Sequence, residues 1–256
     1  MIKRKVIYLC LGLICVIGTG FFGWNLYREL MPRIVAEQGY DQVRTIAFAD
    51  ENMEEGLSEV EPADRIPPDF GVLRAWNPDI RGWIWNPGTD IDYPVVQGPD
   101  NTYYLNHTAD RKQSIIGSIF MDCKNRADFH NGITVLYGHN IRGGRMFSSL
   151  SGYKDQSYYE AHPVMYLYTP EANYRVELFA GQLLSGSAGE FPLMFKSEEE
   201  GQEWGRQLRN SSTFIGRMDP AAGDRILALC TCSYEYQNAR YVIYGILRKV
   251  EADGTN

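Results

Sequence analysis

The sequence predicts a mainly β protein organised as a closed or nearly closed barrel of eight strands, with a helical extension at its N-terminus. Three observations carry that expectation. Short runs rich in β-branched and aromatic residues recur between turn signals from residue 82 onward, one stretch in that region has a strong helical signature, and no internal repeat is visible. With 44% hydrophobic and 13% aromatic residues in 256, the chain has ample material for a core, which excludes disorder.

At the N-terminus, residues 6–22 carry no charge and Trp24 and Tyr27 follow, behind the basic cluster Lys3-Arg4-Lys5. A run of this length and polarity is expected to cross a bilayer as a helix with a cytoplasmic N-terminus, placing an extracellular body at the cell membrane. A cleaved signal peptide has the same basic start, but no clear small-x-small site followed by a polar mature start appears. Residues 28–48 read as helical, through Ile34, Val35, Val43, Ile46 and Ala47. The stretch from Asp50 to Asp64 is acidic and lacks calcium-loop spacing, so it reads as a linker or solvated helix. The expected division is an anchor at 1–27, a helical and acidic leader at 28–66, and the barrel at 67–256.

Within the barrel, strands are expected at 82–85, 93–97, 117–121, 133–137, 164–168, 174–184, 225–232 and 241–250. Ser197 followed by Glu200 forms a capping box, and Trp204 and Leu208 share a face, so a helix is expected at roughly 197–210. Shorter helical turns are expected at 144–151 and 155–161.

Charge and cysteine usage narrow the function. Lys and Arg number 25 against 32 Asp and Glu; the net charge of −7 divides into +3 over residues 1–30 and −10 over the rest. An acidic body without clustered cations excludes nucleic acid as the main partner. Cys10 and Cys15 lie in the first apolar run, leaving Cys123, Cys230 and Cys232. Three is odd, so a fully paired disulfide framework is excluded for the body.

The most informative stretch is Leu227 to Glu235, a β run ending in Cys230-Thr231-Cys232 and a polar turn. Arg240 opens the next β run, and an earlier run from Ile133 to Tyr137 ends at Gly138-His139-Asn140. Rigid strands handing over to loops are common places for catalytic groups. A thiol, an imidazole and a guanidinium at three strand ends form a plausible acyl-transfer set: thiolate nucleophile, proton donor to the leaving amine, and oxyanion stabiliser. Each has a plainer alternative, since a strand-end Cys is often a small buried hydrophobe and a strand-opening Arg is often solvated. A zinc site drawn from Cys123, Cys230, Cys232 and His139 is another rival, but Cys-x-Cys is not the Cys-x2-Cys knuckle of structural zinc. His107, His130 and His162 have no comparable context; His130 and His162 read as surface residues.

From Asn77 to the C-terminus the chain resembles a class B sortase, a membrane-anchored cysteine transpeptidase of Gram-positive bacteria. The resemblance rests on Asn77-Pro78-Asp79-Ile80-Arg81-Gly82-Trp83-Ile84, on residues 88–97 and 100–105, on Leu136-Tyr137-Gly138-His139-Asn140 with Met146-Phe147, and on residues 229–235 with Asn238-Ala239-Arg240. It implies a sortase-type eight-stranded β-barrel, an N-terminal helical extension, and a helix before the cysteine strand. It also implies Cys232 as nucleophile, His139 as general acid/base and Arg240 as the cation that positions substrate and stabilises the oxyanion. Thr231, Leu229 and Glu235 would help bind substrate, and no metal or cofactor is implied. The implied partners are surface proteins with a C-terminal sorting signal, cleaved after Thr, and an acceptor amine from a lipid-linked peptidoglycan precursor or a pilin lysine.

Two positions depart from the family pattern. Cys230 stands where a Ser or other small residue is usual, and on an extended strand it shares a side with residue 232, so it is either a small-residue exchange or a thiol that protects the nucleophile from oxidation. Ala228 stands where Thr is frequent. A papain-like peptidase reading is weak, because there the Cys precedes the His, whereas His139 precedes Cys232. A non-catalytic binding protein would need none of His139, Cys232 and Arg240. With free Cys near ~8.5 and free His near ~6.5, only a small fraction of such pairs holds thiolate and imidazolium together unless the site inverts that order, so a slow catalyst is expected.

Overall fold

A computed structural model of the chain describes residues 2–48, 65–141, 144–185, 191–232 and 239–250, with the side chains of residues 2–11, 29, 33 and 232 outside that description. Its strands are β1 (Ile80–Trp85), β2 (Asp92–Val96), β3 (Ile119–Met121), β4 (Ile133–Gly138), β5 (Asn140–Ile141), β6 (Arg145–Met146), β7 (Val164–Tyr168), β8 (Asn173–Ser185), β9 (Ile226–Cys232) and β10 (Ala239–Val250). Its helices are α1 (Ile2–Ala47), α2 (Phe70–Trp76), α3 (Gln156–Ala161) and α4 (Glu198–Asn210), with a 3-10 turn over Ser148–Lys154.

Eight strands close the barrel in the order β1-β2-β3-β4-β9-β10-β8-β7, and β5-β6 form a small separate hairpin. The eight expected strands are these eight. Two neighbouring pairs are parallel, β2 with β3 and β4 with β9. Parallel neighbours cannot be joined by a tight hairpin, so each pair needs a long crossover. Residues 97–118 make the first and residues 139–225 the second.

Strand β9 is buried from Ile226 to Thr231 because both of its faces are covered there. Leu227 and Leu229 join the cluster that fills the barrel with Trp83, Val95 and Leu136. Ile226, Ala228 and Cys230 alternate to the other face, where they pack with Val242, Tyr244 and Leu208. Helix α4 lies over that outer face. Its N-cap is the expected Ser197, whose Oγ accepts from the Glu200 amide at 3.3 Å, while the Glu200 carboxylate reaches back to the Lys196 amide. Trp204 meets Tyr244 edge-on, with ring centroids 5.5 Å apart.

Helix α2 was not expected. Asp69 caps it by accepting from the Gly71 and Val72 amides at 2.7 and 3.1 Å, and a seven-residue helix is too short for apolar periodicity to stand out. The turn expected at 144–151 is divided between β6 and the 3-10 turn, and the one at 155–161 is α3.

Helix α1 docks on the barrel through Ala36, Tyr40, Val43 and Ala47, which are buried at helical spacing. The expected single-pass anchor, and with it the placement at the cell membrane with a cytoplasmic N-terminus and an extracellular body, is not supported. Among the described residues, no helix is long and apolar enough to cross a membrane. The described apolar stretch is diluted by Gly12, Gly18, Thr19, Gly20, Gly23 and Asn25, and Arg28 follows it. The acidic stretch at 50–64 lies outside the described residues.

The core is rich in tyrosines, and burial weakens their acidity. Tyr104 and Tyr168 are pushed up to about 12 from 10.0 by burial, and Tyr137, Tyr153 and Tyr244 are also raised by it. A raised folded-state value means that the stabilisation is fully present below the unfolded value of about 10 and is lost as pH rises through about 12. Base titration followed by near-UV dichroism and tyrosinate absorbance is therefore expected to show unfolding and phenol ionisation rising together in that window. Full tyrosine ionisation with the fold intact would contradict this.

Candidate active site

Three strand ends meet at one rim of the barrel. Strands β4 and β9 run the same way, with Tyr137 paired to Cys230 and Gly138 to Thr231. Strand β10 runs antiparallel to β9 and pairs Arg240 with Cys232 and Tyr241 with Thr231. His139 follows Gly138 directly, so the parallel register carries it to the level of residue 232.

The imidazole is held by backbone. Nε2 of His139 lies 2.8 Å from the Leu105 carbonyl oxygen. A carbonyl only accepts, so Nε2 carries a proton and donates it, leaving Nδ1 as the nitrogen free to exchange one. Gly117 packs against this pair with φ +64°; a Cβ there would lie 2.6 Å from the Leu105 oxygen and 3.1 Å from His139 Cδ2. The His139 carbonyl accepts from the Phe147 amide at 3.0 Å.

A groove of about 590 Å³ opens beside this rim. His139, Thr231 and Arg240 line one end, and Cys230, Val242 and Tyr244 form part of its floor. Phe191, Leu193, Trp204 and Leu208 make an apolar roof from the approach to α4 and α4 itself. Also lining the groove, Tyr137 donates to Asp122 Oδ2 at 2.9 Å and Asn101 Nδ2 donates to the same oxygen at 3.0 Å. Burial, then the Asp122 carboxylate, push the Tyr137 phenol far above its ordinary range, so it remains a donor. Thr231 is 2% exposed, and its Oγ1 is buried with no hydrogen-bond partner among the described residues. A buried hydroxyl left unpaired is costly unless something completes it.

Comparison with known proteins decides the family. A sortase-domain family profile matches residues 85–248. Sortase B of Listeria monocytogenes is 30% identical over 235 residues, which is 91% of this chain and 93% of the relative. Sortase B of Staphylococcus aureus is 31% identical over 189 residues, 73% of this chain and 78% of the relative. A solved S. aureus sortase B–substrate complex superposes with a TM-score of 0.74 at 28% identity, covering 86% of this chain and 100% of that one. The chain belongs to the sortase family, class B. It is a cysteine transpeptidase with the family's closed barrel.

In this sortase the residues singled out from sequence fall in different places. His139, Thr231 and Arg240 line the groove end, with the backbone of Cys232 opposite Arg240. Leu229 is fully buried in the barrel interior and does not line the groove. Glu235 lies outside the described residues. Cys230 is 1% exposed and serves as a small wall between groove and outer cluster. Among the described residues, no group of three or more His, Cys, Asp or Glu is placed to hold a metal ion. His130 is exposed, whereas His162 is half-buried, with Nδ1 3.1 Å from the Pro87 carbonyl.

Sequence reasoning missed the Leu105 carbonyl, Gly117 and the Tyr137–Asp122 pair. The carbonyl has no sequence signature, although residues 100–105 belong to the motif run.

Gly138 admits no larger residue without disturbing His139. A Cβ there would lie 2.7 Å from Cδ2 of the fully buried Phe147. Gly138→Ala is expected to lower stability by about 1–3 kcal/mol through overpacking and to cut acyl transfer about tenfold or more. Adding Phe147→Leu should restore much of both, as measured by urea unfolding and peptide turnover. Unchanged turnover in Gly138→Ala would contradict the tight fit.

Proposed function

We propose that this sortase cleaves a C-terminal sorting signal of surface proteins after Thr, holds the acyl group as a thioester on Cys232, and passes it to an amine of the peptidoglycan precursor. The observation that carries the reading is the register that sets Arg240 opposite Cys232 while the parallel strand delivers His139 to the same rim.

The Cys232 thiolate attacks the Thr carbonyl carbon, and the Arg240 guanidinium meets the developing oxyanion. Collapse breaks the peptide C–N bond as the His139 imidazolium gives its Nδ1 proton to the departing amine. The acceptor amine then attacks the thioester and its proton passes to His139 Nδ1. The C–S bond breaks and the thiolate is restored. Nδ1 is assigned this role because Nε2–H is engaged by Leu105. The apolar roof from Phe191 to Leu208 suits an extended peptide's side chains.

Sorting-type peptides incubated with the full chain and triglycine as the amine probe should give a covalent mass adduct on Cys232 and a transpeptidation product. Cys232→Ala is expected to abolish both, while His139→Ala and Arg240→Ala should each lower turnover by about 10²–10³-fold. Retained activity in Cys232→Ala would overturn the assignment. A further expectation concerns pH: kcat/KM for thioester formation should be bell-shaped between about pH 5 and 9, since thiolate and imidazolium are both required. A flat profile would count against this acid–base pair.

A further inference from the structure

We infer that Tyr40 of α1 is a positioning residue for His139, acting through Gly117 and the Leu105 carbonyl. The inference rests on the reading of His139 as the general acid/base and extends it to the N-terminal helix.

Tyr40 is 4% exposed, although it lies on a helix outside the barrel. Its hydroxyl donates to the Gly117 carbonyl at 2.7 Å and sits 3.3 Å from Ser118 Oγ. Burial raises the phenol well above its ordinary range, so it is a permanent donor. Ser118 in turn ties two strips of backbone together: its amide donates to the Tyr104 carbonyl at 2.9 Å and its Oγ to the His107 carbonyl at 2.8 Å. Between those contacts lies Leu105, whose carbonyl holds the imidazole, and Gly117 rests on both. The phenol therefore fixes the strip that fixes the ring.

The same helix grips the other side of His139. Glu37, one turn before Tyr40, pairs with Arg145 of β6 at 2.5 Å. Strand β6 pairs back onto β5, and Phe147 just beyond it donates to the His139 carbonyl at 3.0 Å. Tyr40 also packs edge-on to Tyr93, centroids 5.1 Å apart, which locks the helix to β2. One helical turn thus touches both the segment that orients the ring and the hairpin that holds its backbone. A purely structural docking contact would need only the apolar residues Ala36, Val43 and Ala47.

The test uses Tyr40→Phe in the full chain, which keeps the ring and its packing and deletes only the donor. Thioester formation is expected to lose about three- to tenfold in kcat with KM for the sorting peptide unchanged. In nitrogen-15 spectra the Nε2–H tautomer of His139 should become less populated. The spectral readout does not depend on turnover, and His139→Gln serves as the separate control: if that variant keeps full kcat, the acid/base reading fails while the tautomer result still decides the positioning. A tautomer population unchanged in Tyr40→Phe overturns the inference, whether or not kcat falls. If Tyr40→Phe does not fold, Glu37→Gln removes the charge pair from a part-exposed site and should shift the same tautomer population to a smaller extent. No shift there overturns it.

Discussion

The parallel pairing of β4 with β9 is the constraint on which the rest depends. Two strands that run the same way deliver their C-terminal ends to one rim, so His139 and Cys232 arrive together although they lie far apart in the chain. Strand β10, leaving that rim antiparallel, brings Arg240 back at once. The same parallelism forbids a short connection, and the long crossover it demands supplies α4 and the apolar roof of the groove. The second parallel pair, β2 with β3, does likewise on a smaller scale, since its crossover carries Leu105 and Gly117. Cleft and rim thus follow from one topological choice.

The imidazole's partner is a backbone carbonyl rather than a carboxylate. A neutral acceptor orients the ring and selects its tautomer, but it lacks the charge-assisted strength of a carboxylate. The nearby buried acid, Asp122, is engaged with Tyr137 and Asn101. Precision must therefore come from packing, which explains why Gly117 crowds the His139 ring, why Gly138 leaves room for Phe147 beside it, and why α1 is tied to the segments on either side.

The strands were legible because each is a short β-type run between turn signals, and α4 because Ser197 and Glu200 announce its start. Strand order was not legible, since β4 finds β9 across most of the domain and no local pattern records that pairing. Helix α2 escaped because its one signal is the Asp69 cap. The apolar N-terminal run read as a membrane span, yet its described part is interrupted by glycines and Asn25 and does not qualify. In the site, chemically distinctive side chains such as His139 and Arg240 stood out. Leu229 did not join them, because strand alternation turns it into the barrel. Leu105 was invisible, as it contributes only a carbonyl.

On the proposed reading, Cys232, His139 and Arg240 form one electrostatic unit at the rim set by β4, β9 and β10. Its most direct test is the alkylation rate of Cys232 by an uncharged reagent, followed against pH in the wild-type chain, His139→Ala and Arg240→Ala. Each substitution is expected to move the midpoint of that profile, because each removes a charge or proton site that the thiol senses. Three superimposable profiles would mean that the thiol does not sense these partners, and would rule out such a unit.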